Sequence, residues 1–271
     1  VGDQVSIEGA GDSTGNVDTS AANIVWKASA QVPVWTSRRI FTWDPTLNSG
    51  KGGGTGFPTA SQKTALGGLD GSNYIKGDQS KEVLNGGLFR TRSSILGDMI
   101  DSSPVFVPGD TATSSPAALY VGANDGMLHA FDATTGAELF AYVPGGINMS
   151  NLKTLEDPKY VHQYFVDGQL VVSTKAQTKT KNDTTGKNIL VGTLGRGGTT
   201  VFALDVSDPS SGGFGTGKVL WETTLPDMGN VLGAPVITKL NATKDSAGGT
   251  IDTDNDGTPG VLIGTGPNST N

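Results

Sequence analysis

The residues of this sequence best suited to chemistry lie in the stretch DTDNDGTPG, residues 252–260. Asp252, Asp254 and Asp256 alternate with other residues, and carboxylates this close repel one another unless a cation sits between them. They fall at positions 1, 3 and 5 of an EF-hand-like loop. Gly257 takes position 6, where the sharp turn falls, and Thr258 at position 7 offers its backbone carbonyl. The chemistry this predicts is oxygen coordination of Ca²⁺. Position 9 is Gly260 and position 12 is Ile263, so the usual bidentate carboxylate is absent. The following GVLIGTG reads as a strand, which places the loop in a β-hairpin, its ligand set completed by waters or a distant carboxylate such as Asp245. The competing reading is a solvated acidic turn.

Other groups promise less. There is no cysteine, which removes disulfides, thiol nucleophiles and zinc–thiolate sites. The two histidines, His129 and His162, are far apart and read as hydrogen-bonded structural residues rather than as parts of a metal or Ser-His-Asp triad. KGD, Lys76–Asp78, resembles an adhesive tripeptide but reads better as a turn with Asp78 as a helix N-cap. TLGRGGTT, residues 193–200, lacks the Lys-Ser/Thr of a phosphate loop and predicts a hairpin with Arg196 at its tip. In LFRTRSSILGDMID, Arg90 and Arg92 are expected to pair with Asp98 and Asp101. Asn-x-Ser/Thr sequons at Asn148, Asn182, Asn241 and Asn268 mark surface loops. No residue is assigned a catalytic role.

These groups must be positioned by a β-rich frame. With 40 glycines in 271 residues and 35% hydrophobic content, the composition suits short strands joined by turns. A net charge of −7 argues against nucleic acid or an anionic membrane as partner and is compatible with divalent cations. No apolar run approaches the roughly 20 residues of a membrane helix. The start at Val1, without a signal-peptide pattern, reads as a mature or excised piece.

A repeat organises the chain. The first copy predicts strands at Pro104–Val107, Leu119–Val121, Met127–Phe131 and Glu138–Val143. A second copy matches ILVG to LYVG and VFALD to LHAFD. Its Thr216-Gly217 and Trp221 then match Thr135-Gly136 and Phe140, after an insertion. A third begins at GAPVITKL and resumes at GVLIGTG. Units of four short strands at spacings of roughly 40 to 70 residues indicate a β-propeller. Gly126 and Gly136 fall where turns need positive φ, Asp132 where a side chain accepts backbone N–H groups, and Phe140 and Trp221 where large rings dock between blades. The fold expected is all-β: an incomplete quinoprotein-like β-propeller of about three blades. Residues 1–95 form an N-terminal segment that leads into and decorates the propeller, with short helices in TASQKTALGG and DQSKEVLNGG. Residues 96–271 form the blades, the last one cut short.

AFDATTGAELF, residues 130–140, follows the quinoprotein repeat signature with Phe in place of Trp. In order, SRRIFTW, SNYIKGDQSKE, LFRTRSSILGDMIDSSPVFV, YVGANDGMLHAFDATTGAELFAYVP, YVHQYFVDG and LVGTLGRGGTTVFALDVSDP resemble the C-terminal propeller of PilC/PilY-type proteins, the tip-associated adhesins of type IV pili. The resemblance runs from about Ala28 to Asn271. It implies a large secreted, non-enzymatic protein at the pilus tip or cell surface. Such a protein supports pilus assembly and extension and attaches to host or abiotic surfaces. Its partners would be minor pilins of the tip complex and a surface receptor, and Ca²⁺ bound in the propeller would modulate extension and retraction. The family's calcium loop usually carries an acid at position 9, where this chain has Gly260. The alternatives are a secreted quinoprotein-like (PQQ) oxidoreductase and an unrelated glycan-binding surface propeller.

Overall fold

The computed structural model describes Asp3–Val5 and residues 24–181, 183–224, 227–240 and 258–266. Its strands are β1 (Asp3–Val5), β2 (Ile24–Lys27), β3 (Ile40–Asp44), β4 (Gly53–Gly56), β5 (Val105–Val107), β6 (Ala118–Ala123) and β7 (Met127–Asp132). They continue with β8 (Glu138–Val143), β9 (Leu170–Val172), β10 (Ile189–Thr193), β11 (Val201–Asp205), β12 (Val219–Thr223), β13 (Val236–Leu240) and β14 (Thr258–Leu262). The first repeat forms the antiparallel run β5–β6–β7–β8, the second forms β9–β10–β11–β12, and the third is represented by the antiparallel pair β13–β14. Among the described residues the sheets are packed blades that do not close into a ring.

The blade strands are short apolar runs bounded by turn residues, the pattern of strands covered on both faces. Burial follows: Met127 to Phe131 are all buried, and so are Phe140 to Val143. The hairpin turns use the chemistry the sequence advertises. Gly126 (φ 92°) closes the β6–β7 turn and Gly136 (φ 74°) the β7–β8 turn. Asp132 Oδ1 accepts the N–H groups of Thr134 and Thr135 at 2.9 and 2.8 Å.

The segment before residue 96 is woven into this frame. β3 pairs in parallel with β8, Phe41 opposite Tyr142, and β4 pairs antiparallel with β3, giving a six-stranded sheet. Trp26 lies over Gly136, where an added Cβ would come within 2.5 Å of its ring, and donates Nε1–H to the Ala133 carbonyl at 3.3 Å.

Phe140 and Trp221 act as inter-blade anchors. Phe140 is fully buried and stacks on Phe214 of the second blade at a centroid distance of 3.6 Å, while Phe41 meets Phe214 edge-on at 5.3 Å. Trp221 packs against both main core clusters. Between the blades, the Tyr142 hydroxyl donates to Glu222 Oε2 at 2.7 Å, and the N–H groups of Gly145 and Gly146 donate to the same carboxylate.

Two local expectations need correcting, and one helix was not among those expected. The helix expected in TASQKTALGG forms at Ala60–Ala65, with a Thr59–Gln62 capping box, but DQSKEVLNGG holds only a 3₁₀ turn, Val83–Asn85. Its backbone is spent on a reversal: Val83 N–H donates to the Phe89 carbonyl and Phe89 N–H to that of Lys81. A helix that the sequence reading lacked runs from Leu69 to Lys76, disguised by Gly68 and Gly71. An added Cβ on Gly71 would lie 1.9 Å from the Leu66 carbonyl oxygen. Asp78 therefore follows a helix end at Gly77 (φ 113°) and caps nothing downstream; its Oδ1 accepts Ser80 N–H at 2.9 Å.

Candidate functional site

The approach to β5, the β6–β7 turn and the β8–β9 connection meet at one end of the first blade. There they frame a cleft of about 870 Å³, bordered by Arg90, Leu96, Asp98, Asn124, Tyr160 and His162. Its polar groups are tied to one another across the chain. His162 Nε2 lies 2.8 Å from Asp98 Oδ2, and Asn124 Nδ2 donates to the same oxygen at 3.2 Å. Asn124 Oδ1 accepts Phe165 N–H at 2.9 Å, which joins the first blade's turn to the connection between blades. Arg90 lies 4.7 Å over the ring of Tyr160.

Behind the cleft a buried chain of charges runs into the core. Asp125 accepts Gly97 N–H and faces His129 Nε2 at 3.1 Å; His129 Nδ1 lies 2.8 Å from Glu138 Oε1. Arg38 holds both Glu138 oxygens at 2.7 Å and donates to the Lys76 carbonyl at 2.8 Å. Burial opposes charge on His129, but the carboxylates of Asp125 and Glu138 outweigh it and push its pKa up to about 9. Burial likewise works against ionised Glu138, yet hydrogen bonds from His129 and Arg38 hold it down at about 2. His129 is thus an imidazolium with a carboxylate on each ring nitrogen. Neither nitrogen is left to take a proton from a nucleophile or to bind a metal, so this histidine braces the blade.

The expected pairing of Arg90 and Arg92 with Asp98 and Asp101 does not occur. Arg92 Nε bonds Glu82 at 2.8 Å in a buried pair, and its other nitrogens donate to the carbonyls of Tyr74 and Asp78. Arg90 Nε donates to the Leu155 carbonyl. Both arginines cap the ends of local elements with backbone oxygens, a demand that residue spacing does not register. Asp101 instead meets Arg196 at 3.4 Å, and Arg196 stands at the tip of the β10–β11 turn, as expected, over Tyr164 at 5.2 Å. KGD is half-buried at a helix end rather than displayed on a loop tip.

Asp252, Asp254 and Asp256 lie outside the described residues. Thr258 is the first residue of β14, in register with Leu240, so the strands on either side of the acidic run are paired. Among the described residues no three His, Cys, Asp or Glu side chains converge as a metal site, and no helix is long and apolar enough to cross a membrane. Asp98, Asp125, Asn124 and Glu138 escaped the sequence reading as site residues. The NDG turn was the available signal, since it places Asn124 and Asp125 beside the strand that carries His129.

The family model for the PilY1 beta-propeller domain matches residues 96–270. The type IV pilus biogenesis factor PilY1 homolog of Xylella fastidiosa (strain Temecula1 / ATCC 700964) is 41% identical over 222 residues, covering 73% of this chain and 16% of that protein. The type IV pilus biogenesis factor PilY1 of Pseudomonas aeruginosa (strain PAK) is 33% identical over 267 residues, covering 79% of this chain and 22% of its own. The crystal structure of the P. aeruginosa PilY1 C-terminal domain aligns with 56% of this chain and 25% of that chain, at 30% identity and a TM-score of 0.37. The chain spans less than a quarter of the length of these curated relatives. With blades built on the repeat and the family match spanning most of it, the chain belongs to the PilY1 β-propeller domain family.

Proposed function

We propose that this chain is the propeller portion of a larger pilus-associated protein that supports assembly and extension of type IV pili and attachment to surfaces. In this reading it acts by docking rather than by catalysis. The observation that carries the reading is the family match over residues 96–270, taken with relatives named as pilus biogenesis factors. The geometry supports docking. The first blade's loops and the connection to the second blade converge on one cleft of a size that takes ligands or side chains, and its histidine and acids are engaged in holding those loops together. The quinoprotein-type repeat has a packing role here, since Phe140 occupies the signature position and stacks between blades. The partners are minor pilins of the tip complex and a host or abiotic surface, reached from an extracellular position at the pilus tip. Ca²⁺ held by Asp252, Asp254, Asp256 and the Thr258 carbonyl would brace the third hairpin and modulate that docking.

The test is complementation of a strain lacking the gene, using the full-length protein. A cleft triple variant (Asp98→Ala, Tyr160→Ala, His162→Ala) should reduce surface pili and attachment at unchanged protein level. Asp254→Ala should remove the Ca²⁺ dependence of twitching. Wild-type piliation and twitching from both variants would overturn the reading.

A further inference from the structure

Beside the large cleft is a smaller recess of about 280 Å³, bordered by Ile100, Asp101, Asp167, Gln169, Arg196 and Leu232. Asp167 is 1% exposed, and its Oδ2 atom has no hydrogen-bond partner. Its other oxygen accepts Asp101 N–H at 3.1 Å, and its own N–H donates to the Leu194 carbonyl at 3.3 Å. The backbone is built to hold it there. An added Cβ on Gly168 would lie 2.0 Å from Thr193 Oγ1, and Gly195 opposite has a φ of +56°, so the chain at Asp167 is pressed against the β10–β11 turn. Buried polar atoms without partners are rare and costly, and an ionisable one more so. Burial pushes the Asp167 carboxyl above its ordinary range, and the charge of Asp101 adds to this against the opposing pull of the Asp101 N–H and the Asn124 amide.

We infer that this recess is a binding site for a primary ammonium group carried on an aliphatic stem, the chemistry of a lysine side chain. Three features select that class. The recess, about 280 Å³, stands at the small end of the range of ligand pockets and has room for one side-chain head group and its stem. Asp101 and Asp167 bring two negative charges and Arg196 one positive, a balance that one monovalent cation completes. Ile100 and Leu232 supply apolar walls for methylenes, and an ammonium offers three donors to the free Asp167 oxygen and its neighbours. Ca²⁺ fits poorly, because it takes 6–8 oxygens and Arg196 Nε already stands 3.4 Å from Asp101. The inference rests on the Asp167 geometry and holds whether or not the protein serves a pilus.

The experiment titrates the 271-residue chain with n-butylammonium chloride and with a capped Gly-Lys-Gly peptide. Butanol, a norleucine peptide and CaCl₂ are the controls, and carbon NMR of the aspartate carboxyls is the readout. Both ammonium probes should move the Asp167 signal, and the tighter one identifies a small amine or a polypeptide as the source. Asp167→Asn should weaken binding at least about tenfold without lowering the thermal unfolding midpoint, because it removes an unpaired charge rather than a brace. Arg196→Ala, at an exposed position, should tighten binding by releasing Asp101. Absence of an ammonium response at Asp167 in the parent and at Asp101 in Arg196→Ala, equal affinity in Asp167→Asn, or a shift of the Asp167 signal by CaCl₂ and by neither ammonium probe would each overturn the inference.

Discussion

His129 is held between Asp125 and Glu138, and this arrangement ties stability to pH with a definite sign. Its pKa rises from 6.5 to about 9 on folding, so the folded state binds the proton more tightly. The stabilisation is complete below pH 6.5 and is lost as pH climbs through about 9. Glu138 runs the other way: depressed from 4.5 to about 2, it stabilises above pH 4.5 and loses that contribution as pH falls toward 2. Denaturant midpoints measured against pH should therefore be highest between these limits and decline on the alkaline side. His129→Gln should be less stable at pH 6 and should show a flatter decline from there to pH 9; an unchanged alkaline slope would refute the assignment. The sequence reading identified His129 as a hydrogen-bonded structural residue. It did not reveal the partners, because Arg38 and Glu138 lie 100 residues apart in the chain and meet only when β3 docks on β8. The free oxygen of Asp167 was equally out of reach, since a missing partner leaves no trace in a motif.

At the level of the element, the repeat was legible because each blade strand is a short apolar run between turn residues, and β8 forms over the residues expected of it. What the repeat concealed is that equivalent letters need not do equivalent work. Thr135-Gly136 and Thr216-Gly217 align, yet Gly136 has φ 74° and carries the Trp26 ring against its Cα, while Gly217 sits in a 3₁₀ turn with nothing within 4 Å of an added Cβ. The insertion before Thr216 removes the tight turn that demanded a glycine. Gly136→Ala should cost about 2 kcal/mol or more, from left-handed strain plus displacement of Trp26. Gly217→Ala should stay within about 0.5 kcal/mol of the parent. Urea unfolding of the two variants decides the matter; similar losses would mean that the repeat, not the local turn, sets the requirement. Helix Leu69–Lys76 was illegible for a related reason: its glycines look like loop residues, and only the close approach of Leu66 shows why Gly71 is needed.

For the whole molecule, the question is whether residues 96–271 stand as a unit, as composition and repeat lead one to expect and as the span of the family match invites. The contacts cross that boundary in force. β3 covers the edge of β8, Arg38 neutralises the buried Glu138, Phe41 packs on the Phe140–Phe214 stack, and Gly54 lies so close to the second blade that an added Cβ would be 2.2 Å from the Thr216 carbonyl oxygen. Removing the first 95 residues would expose the open edge of β8 and leave the buried Glu138 with His129 as its cation in place of the Arg38–His129 pair. An exposed edge templates pairing with other chains, and breaking a buried ion pair from one side alone costs about 3–5 kcal/mol. The fragment 96–271 should therefore be recovered as aggregate or as a species with weakened near-ultraviolet dichroism, while the 271-residue chain should elute as a folded species with a single cooperative transition. Size-exclusion chromatography and thermal unfolding of both provide the comparison. A monomeric fragment that unfolds at the parent's midpoint would show that the N-terminal segment only decorates the propeller; failure of the fragment would make that segment a clasp across the first two blades, without which neither the cleft nor the Asp167 recess keeps its walls.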